Sequence, residues 1–226
     1  MSIPEEFVYL NEINPNIISN LRYFSNENFI GHPIVGYERN VAILTKQAAE
    51  ALSKAQQEFE QNDYTLVIYD AYRPRRSVEY FLEWNKNLSD QRKKKEYYPF
   101  IEKAEVFDLG YVAKKSGHTR GSTVDLTIAK IGNKIEDRKW VSRKLEDGRE
   151  ILFLDDGTLD MGSSFDLFDQ ASHQDSPIIA SPYTEHRNYL RNVMMKHGFR
   201  PNPREWWHYS FIDEPFPDTY FEFHVK

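Results

Sequence analysis

Two short segments of this chain carry side chains suited to polar catalysis. The first is Ser116-Gly117-His118-Thr119-Arg120-Gly121-Ser122-Thr123-Val124-Asp125. A chain that folds back through Gly121 can bring the His118 imidazole and the Asp125 carboxylate to one point. Nitrogen beside carboxylate oxygen suits zinc, a borderline-soft ion. The same pair serves equally well as a His–Asp hydrogen bond that staples a turn. The second segment is Arg204-Glu205-Trp206-Trp207-His208-Tyr209. In a regular strand Glu205 and His208 face opposite sides. A shared site therefore requires that Glu205 precede the strand, or that a bulge re-aim it. Read alone, the segment is an amphipathic strand with two core tryptophans.

Together the two segments describe a catalytic metal site. His118, Asp125 and His208 supply three ligands and leave a fourth position open, the arrangement of catalytic rather than structural zinc. Glu205 is the candidate general base, accepting a proton as a metal-activated water attacks a carbonyl and passing it to the leaving amine. Arg73, in the loop Asp70-Ala71-Tyr72-Arg73-Pro74, is suited to hydrogen-bond a developing oxyanion. A surface arginine in a turn is the competing reading, and the tightly specified loop disfavours it. Cysteine is absent from all 226 residues, which removes thiolate nucleophiles, disulfides and Cys-held metals at once.

The elements that must position these groups are readable in part. Ala48, Leu52, Ala55 and Phe59 follow Thr45 at helical spacing, with Thr45 as the expected cap and Asn62-Asp63 as the stop. Thr65 to Tyr69 reads as a buried strand, and a helix is expected from about Ser77 to Trp84. Ser122 to Thr127 alternates and reads as a strand. A hairpin is expected at Ile151 to Leu154, with a turn at Asp155-Asp156-Gly157. A third helix follows Thr184, carries Leu190, Val193 and Met194 on one side, and closes at Gly198. A strand around Trp207 to Phe211 ends the series. Helices and strands are mixed without regular βαβ alternation, so the expected class is α+β.

Composition narrows the function further. Acidic side chains number 35 against 29 basic ones, a net charge of −6, which provides no global attraction to nucleic acid or anionic membrane. The basic run Arg92-Lys93-Lys94-Lys95 reads as a solvated face. No apolar run approaches the length of a membrane span. The first residues lack a basic segment followed by an apolar one, so the expected location is cytoplasmic.

The chain resembles the D-alanyl-D-alanine dipeptidases of the VanX type, zinc peptidases whose wider family includes D-alanyl-D-alanine carboxypeptidases. The resemblance rests on YDAYRPRRSVEYF at 69–81, YYP at 97–99, GYVAKKSGHTRGSTVDLT at 110–127, DMGSSFD at 160–166 and EWWHY at 205–209, with support from LRYFSNENFIG at 21–31 and DEPFPDTYFEF at 213–223. It implies one domain over residues 1–226, with a mainly antiparallel central sheet flanked by helices and one zinc ion in a cleft on the sheet. It also implies that His118, Asp125 and His208 bind the metal, that Glu205 is the base and that Arg73 stabilises the transition state. Tyr23, Ser116 and Asp166 fall where that family places substrate-binding residues. An acid such as Asp166 suits a free α-ammonium.

The activity so implied is hydrolysis of D-alanyl-D-alanine, or a closely related D-dipeptide, to free D-amino acids. A peptidoglycan D,D-carboxypeptidase or endopeptidase is the alternative on the same scaffold. A metal-stabilised, inactive D-dipeptide binder is disfavoured, because a binder needs neither Glu205 nor Arg73. The stretch from Ala129 to Leu159 is longer than in compact members and is expected to reshape the mouth of the pocket.

Overall fold

The alternating stretch after Ser122 becomes the middle of the molecule. In the computed structural model, which describes residues 3–136 and 139–226, the first half contains β1 (Phe7–Tyr9), α1 (Leu10–Ile13), β2 (Ile18–Ser19), β3 (Ile43–Thr45), α2 (Lys46–Glu60), β4 (Tyr64–Asp70), α3 (Arg75–Lys86) and α4 (Lys94–Tyr97). The second contains β5 (Thr123–Lys130), β6 (Lys139–Lys144), β7 (Glu150–Asp155), α5 (Tyr183–Lys196), β8 (Phe199–Asn202) and β9 (Glu205–Phe211). Five strands form the central sheet in the order β2-β4-β5-β9-β8. Only the β2–β4 pair is parallel. The architecture is thus α+β with a mainly antiparallel sheet, as expected, and α2 and α5 pack against it and each other.

Strand β5 is buried on both faces. Val124, Leu126 and Ile128 form its apolar side within the main core. Thr123, Asp125 and Thr127 line the other side and are buried as well. Pattern alone marks the alternation, but only the layers above and below decide that the polar side is also covered.

The helical stripe of α2 is as spaced: Ala48, Leu52, Ala55 and Phe59 are all buried. Its cap is not. Thr45 is the last residue of β3, and its hydroxyl is hydrogen-bonded to the Ser122 hydroxyl at 2.7 Å instead of the helix end. The helix stops at Glu60, and Asp63 follows with a left-handed φ of 62°.

Elsewhere the structure extends or revises the expected elements. Helix α3 runs two residues beyond its expected bounds at each end, and α5 and β9 each begin two residues earlier than expected. The hairpin is real, but Glu150–Asp155 is its second strand, paired with Lys139–Lys144 across a turn at Leu145–Arg149. The Asp155–Gly157 turn follows that strand. Strand β6 is charged and partly exposed, so its sequence shows no strand signature. The short elements before residue 45 leave no periodic trace either. Within the basic run, Arg92 and Lys95 are exposed, whereas Lys93 is half-buried, pairs with Glu27 at 3.2 Å and lies 5.9 Å from the Tyr97 and Trp140 ring centres. No helix among the described residues is long and apolar enough to cross a membrane.

The turn that carries His118 depends on Gly121. Its φ is +83°, its N–H donates to the His118 carbonyl, and a Cβ there would lie 2.1 Å from the Phe7 ring. Both the left-handed backbone and the contact exclude a side chain. Gly121→Ala should therefore cost about 3 kcal/mol in urea unfolding. A loss below about 1 kcal/mol would mean that Phe7 and the turn relax freely.

Candidate active site

Strand register builds most of the site. Asp125 on β5 pairs directly with His208 on β9, and Asp70 on β4 pairs with Asp125 after a bulge between Ile68 and Asp70. Directly paired residues share a face of a sheet. Asp70, Asp125 and His208 therefore form a row across three adjacent strands. His118 joins from the Gly117–Arg120 turn, whose first residue is capped by Ser116: its hydroxyl accepts the His118 N–H at 3.2 Å.

Glu205 reaches the same point by the route that strand geometry requires. Strand β8 pairs Pro201 with Tyr209 but the next residue, Asn202, with Glu205. Trp206, Trp207 and His208 thus have no β8 partners, and this bulge puts Glu205 on the His208 side. The Glu205 Oε2 to His208 Nδ1 distance is 3.4 Å.

Ligand-type atoms of three residues converge. His118 Nε2 lies 3.2 Å from Asp125 Oδ2 and 3.3 Å from His208 Nδ1, and His208 Nδ1 lies 2.9 Å from Asp125 Oδ1. Bonds of about 2.0–2.1 Å in a tetrahedron put ligands about 3.3 Å apart, the separation of the two ring nitrogens, each of which faces its own Asp125 oxygen. Two further features favour a metal over a hydrogen-bonded pair. His118 Nδ1 is 2.8 Å from the Ala71 carbonyl, which can only accept, so that nitrogen carries the proton and Nε2 offers a lone pair. Asp125 Oδ1 is buried with no donor directed at it, despite the nearby ring. The residues fit a zinc ion.

Electrostatics separate the carboxylates. Burial works against ionisation of Asp125, yet the facing His118 and His208 rings hold it well below the usual carboxylate range. Burial pushes Glu205 upward, with His208 pulling the other way. Asp166 is pushed well above the usual range, first by burial and then by the Asp125 charge. A carboxyl raised in this way favours proton affinity, the property of a base.

The other expected residues are also present. Arg73, Tyr23, Ser116, Asp166 and Glu205 all line one cavity of about 170 Å³ together with the three ligand-type residues. Asp166 has φ +59° and accepts the Tyr23 hydroxyl at 2.6 Å. Arg73 lies over the Tyr23 ring at 4.9 Å. No described residue between 129 and 159 lines this cavity. The stretch acts from behind: Leu154 N–H donates to Ser164 Oγ at 2.8 Å, and Arg149 pairs with Asp169 at 2.8 Å, bracing the loop that holds Asp166.

Relatives can now be set beside this geometry. A sequence model of the D-ala-D-ala dipeptidase family matches residues 4–136 and 150–226. The chain belongs to that family. Among its members, the D-alanyl-D-alanine dipeptidase of Enterococcus faecalis is 40% identical over 221 residues, covering 97% of this chain and 98% of that protein. The D-alanyl-D-alanine dipeptidase of Streptomyces coelicolor is 37% identical with the same coverage. A solved mutant of the vancomycin-resistance D,D-pentapeptidase VanY in complex with Zn(II) covers 78% of this chain and 76% of its own, at a TM-score of 0.40 and 15% identity, a likeness too loose to place any side chain. The family match skips residues 137–149, which include β6 and its turn.

One residue of the dipeptidase fold escaped the motif reading. Asp70 is fully buried; it accepts from Arg73 Nε at 2.9 Å and from the Tyr37 hydroxyl at 2.6 Å, and lies 3.5 Å from His118 Nδ1. Its only sequence signal is its place at the strand end before the Arg73 loop. Asp70→Ala strands a buried guanidinium and should cost about 3–5 kcal/mol in denaturant unfolding. Tyr37→Phe removes a single donor and should cost about 1–2 kcal/mol. Equal losses would show that the two residues do not hold Arg73 in the way their distances imply.

Proposed function

We propose that residues 1–226 act as one zinc D,D-dipeptidase domain that hydrolyses D-alanyl-D-alanine to free D-alanine. The observation that carries this reading is the convergence of ligand-type atoms of three residues, all within 4.8 Å of one another, on a cavity that also holds Glu205, Arg73 and Asp166. His118, Asp125 and His208 hold the metal. When bound, zinc supplies Lewis acidity to the scissile carbonyl and to the attacking water.

The chain's own residues do the rest. Glu205 takes the proton of the attacking water and returns it to the leaving amine. Its raised proton affinity suits both halves of that exchange. Arg73 donates to the oxyanion, and Asp70 holds the guanidinium in place at 2.8 Å. Arg73 stays charged: burial opposes the charge, but Tyr23, Asp70, Tyr37 and Asp125 surround it with oxygens. Asp166 receives the substrate's α-ammonium, which supplies the counter-charge that its buried carboxyl lacks. Tyr23 aims that carboxyl. Ser116 stands at the cavity wall and meets the dipeptide beside His118.

The size of the cavity favours a dipeptide over a longer stem. A D,D-carboxypeptidase must admit a chain on the amino side of the scissile bond, where Asp166 would instead recognise a free amine. We place the reaction in the cytoplasm, with a free dipeptide as its small-molecule partner.

Two measurements test this. Purified protein stripped by a chelator should gain about 2.7 kcal/mol of stability at a free zinc level of 100 times Kd. His118→Ala should abolish that gain, and an equal gain in the variant would remove His118 from the ligand set. In the activity assay, zinc-loaded protein should release D-alanine from D-alanyl-D-alanine and leave a pentapeptide stem intact. Glu205→Ala should keep its zinc and lose about 10²–10⁴-fold in kcat. Near-normal turnover by Glu205→Ala would dismiss it as the base, and faster cleavage of the pentapeptide would favour the carboxypeptidase.

A further inference from the structure

The Glu205 carboxylate is not held by the metal-site residues alone. Asn202, the last residue of β8, lines the same cavity and donates from Nδ2 to Glu205 Oε2 at 2.8 Å. Its Oδ1 accepts the Arg204 backbone N–H at 3.0 Å. The second bond fixes the identity of the first. A backbone N–H can only donate, so the amide oxygen must face Arg204 and the NH2 group must face Glu205. The side chain is therefore locked at both ends, in a turn of only two residues between paired Asn202 and Glu205.

The turn itself is anchored. The Pro203 carbonyl accepts the Gln174 backbone N–H at 3.0 Å, and Gln174 Nε2 donates to the Trp206 carbonyl at 3.2 Å. Pairing between β8 and β9 breaks between Pro201 and Asn202, the same point at which Glu205 is turned toward His208. Glu205 thus stands at the first residue of β9, with one carboxylate oxygen between the Asn202 amide and the His208 ring.

We propose that Asn202 is a positioning residue for the general base: its amide aims Glu205 Oε2 and leaves the remaining oxygen free to take the proton. This rests on Glu205 being the base. A turn-forming role alone makes a different demand. An Asx turn needs only the side-chain oxygen, which Asp and Ser also provide. Neither provides an NH2 that reaches Glu205, and Asp adds a like charge beside it.

The test compares Asn202→Asp, Asn202→Ser and Asn202→Ala as zinc-loaded proteins, each with kcat, KM, bound zinc and thermal unfolding measured. The expected result is a fall in kcat of about 10- to 100-fold in all three, largest for Asp, the rate equivalent of one hydrogen bond to a charged group. Bound zinc and KM should stay at the parent values. Wild-type kcat in the Asp or the Ser variant would assign Asn202 to the turn alone and overturn the proposal; the Ser variant carries the decision if the Asp variant does not fold. In a Glu205→Ala background, Asn202→Ser should cost nothing further, because the two residues act as one unit. A full additional loss there would overturn this inference alone, whereas normal turnover by Glu205→Ala would overturn the general base with it.

Discussion

A buried carboxylate on the middle strand of a sheet is the constraint around which this site is organised. Asp125 sits on β5 with strands on both sides, so water cannot solvate it. An uncompensated charge there costs several kcal/mol. The Arg73 guanidinium stands 3.7 Å away, and two imidazoles face the carboxylate, one across the strand pair and one from a turn, which brings three ligand-type atoms within 4.8 Å of one another. A cation held among these three residues would balance the charge that burial leaves exposed to so few partners.

The second carboxylate in the row balances a different cation. Asp70 takes Arg73 on one oxygen and the Tyr37 hydroxyl on the other, and so fixes the guanidinium at the edge of the cavity. Arg73 also lies 3.7 Å from Asp125, which links the two carboxylates through one shared cation. Asp166 completes the set from a loop. Its left-handed backbone is tolerated because Asp is one of the few side chains that visits that region, and the loop beneath it is braced by the β6–β7 hairpin. Within one cavity Asp125 is held low by its facing rings, while burial raises Glu205 and Asp166.

Much of this was legible in residue types. His118, Asp125 and His208 are uncommon company, and the absence of Cys leaves few other ligands for a metal. The α2 stripe and the apolar side of β5 follow from periodicity, since burial selects the same face at every turn or every second residue. Thr45 shows where such reasoning stops: its type and position match a cap, but its hydroxyl bonds Ser122 and makes no capping bond to the helix. The charged β6 strand and the short strands before residue 45 pair through the backbone, which no side-chain pattern records.

Residue types and periodicity set the chemistry on offer: imidazole and carboxylate ligand types, a glutamate beside them, an arginine, and the secondary structure that carries most of them. Tertiary structure decided which of these meet. The β4–β5–β9 register aligned Asp70, Asp125 and His208, the β8–β9 bulge turned Glu205 to face them, and packing closed the cavity away from the 129–159 stretch. Register and bulges depend on how backbone groups pair between strands distant in the chain. Those pairings are set by the free energy of the whole core, not by the residues that happen to stand at the site.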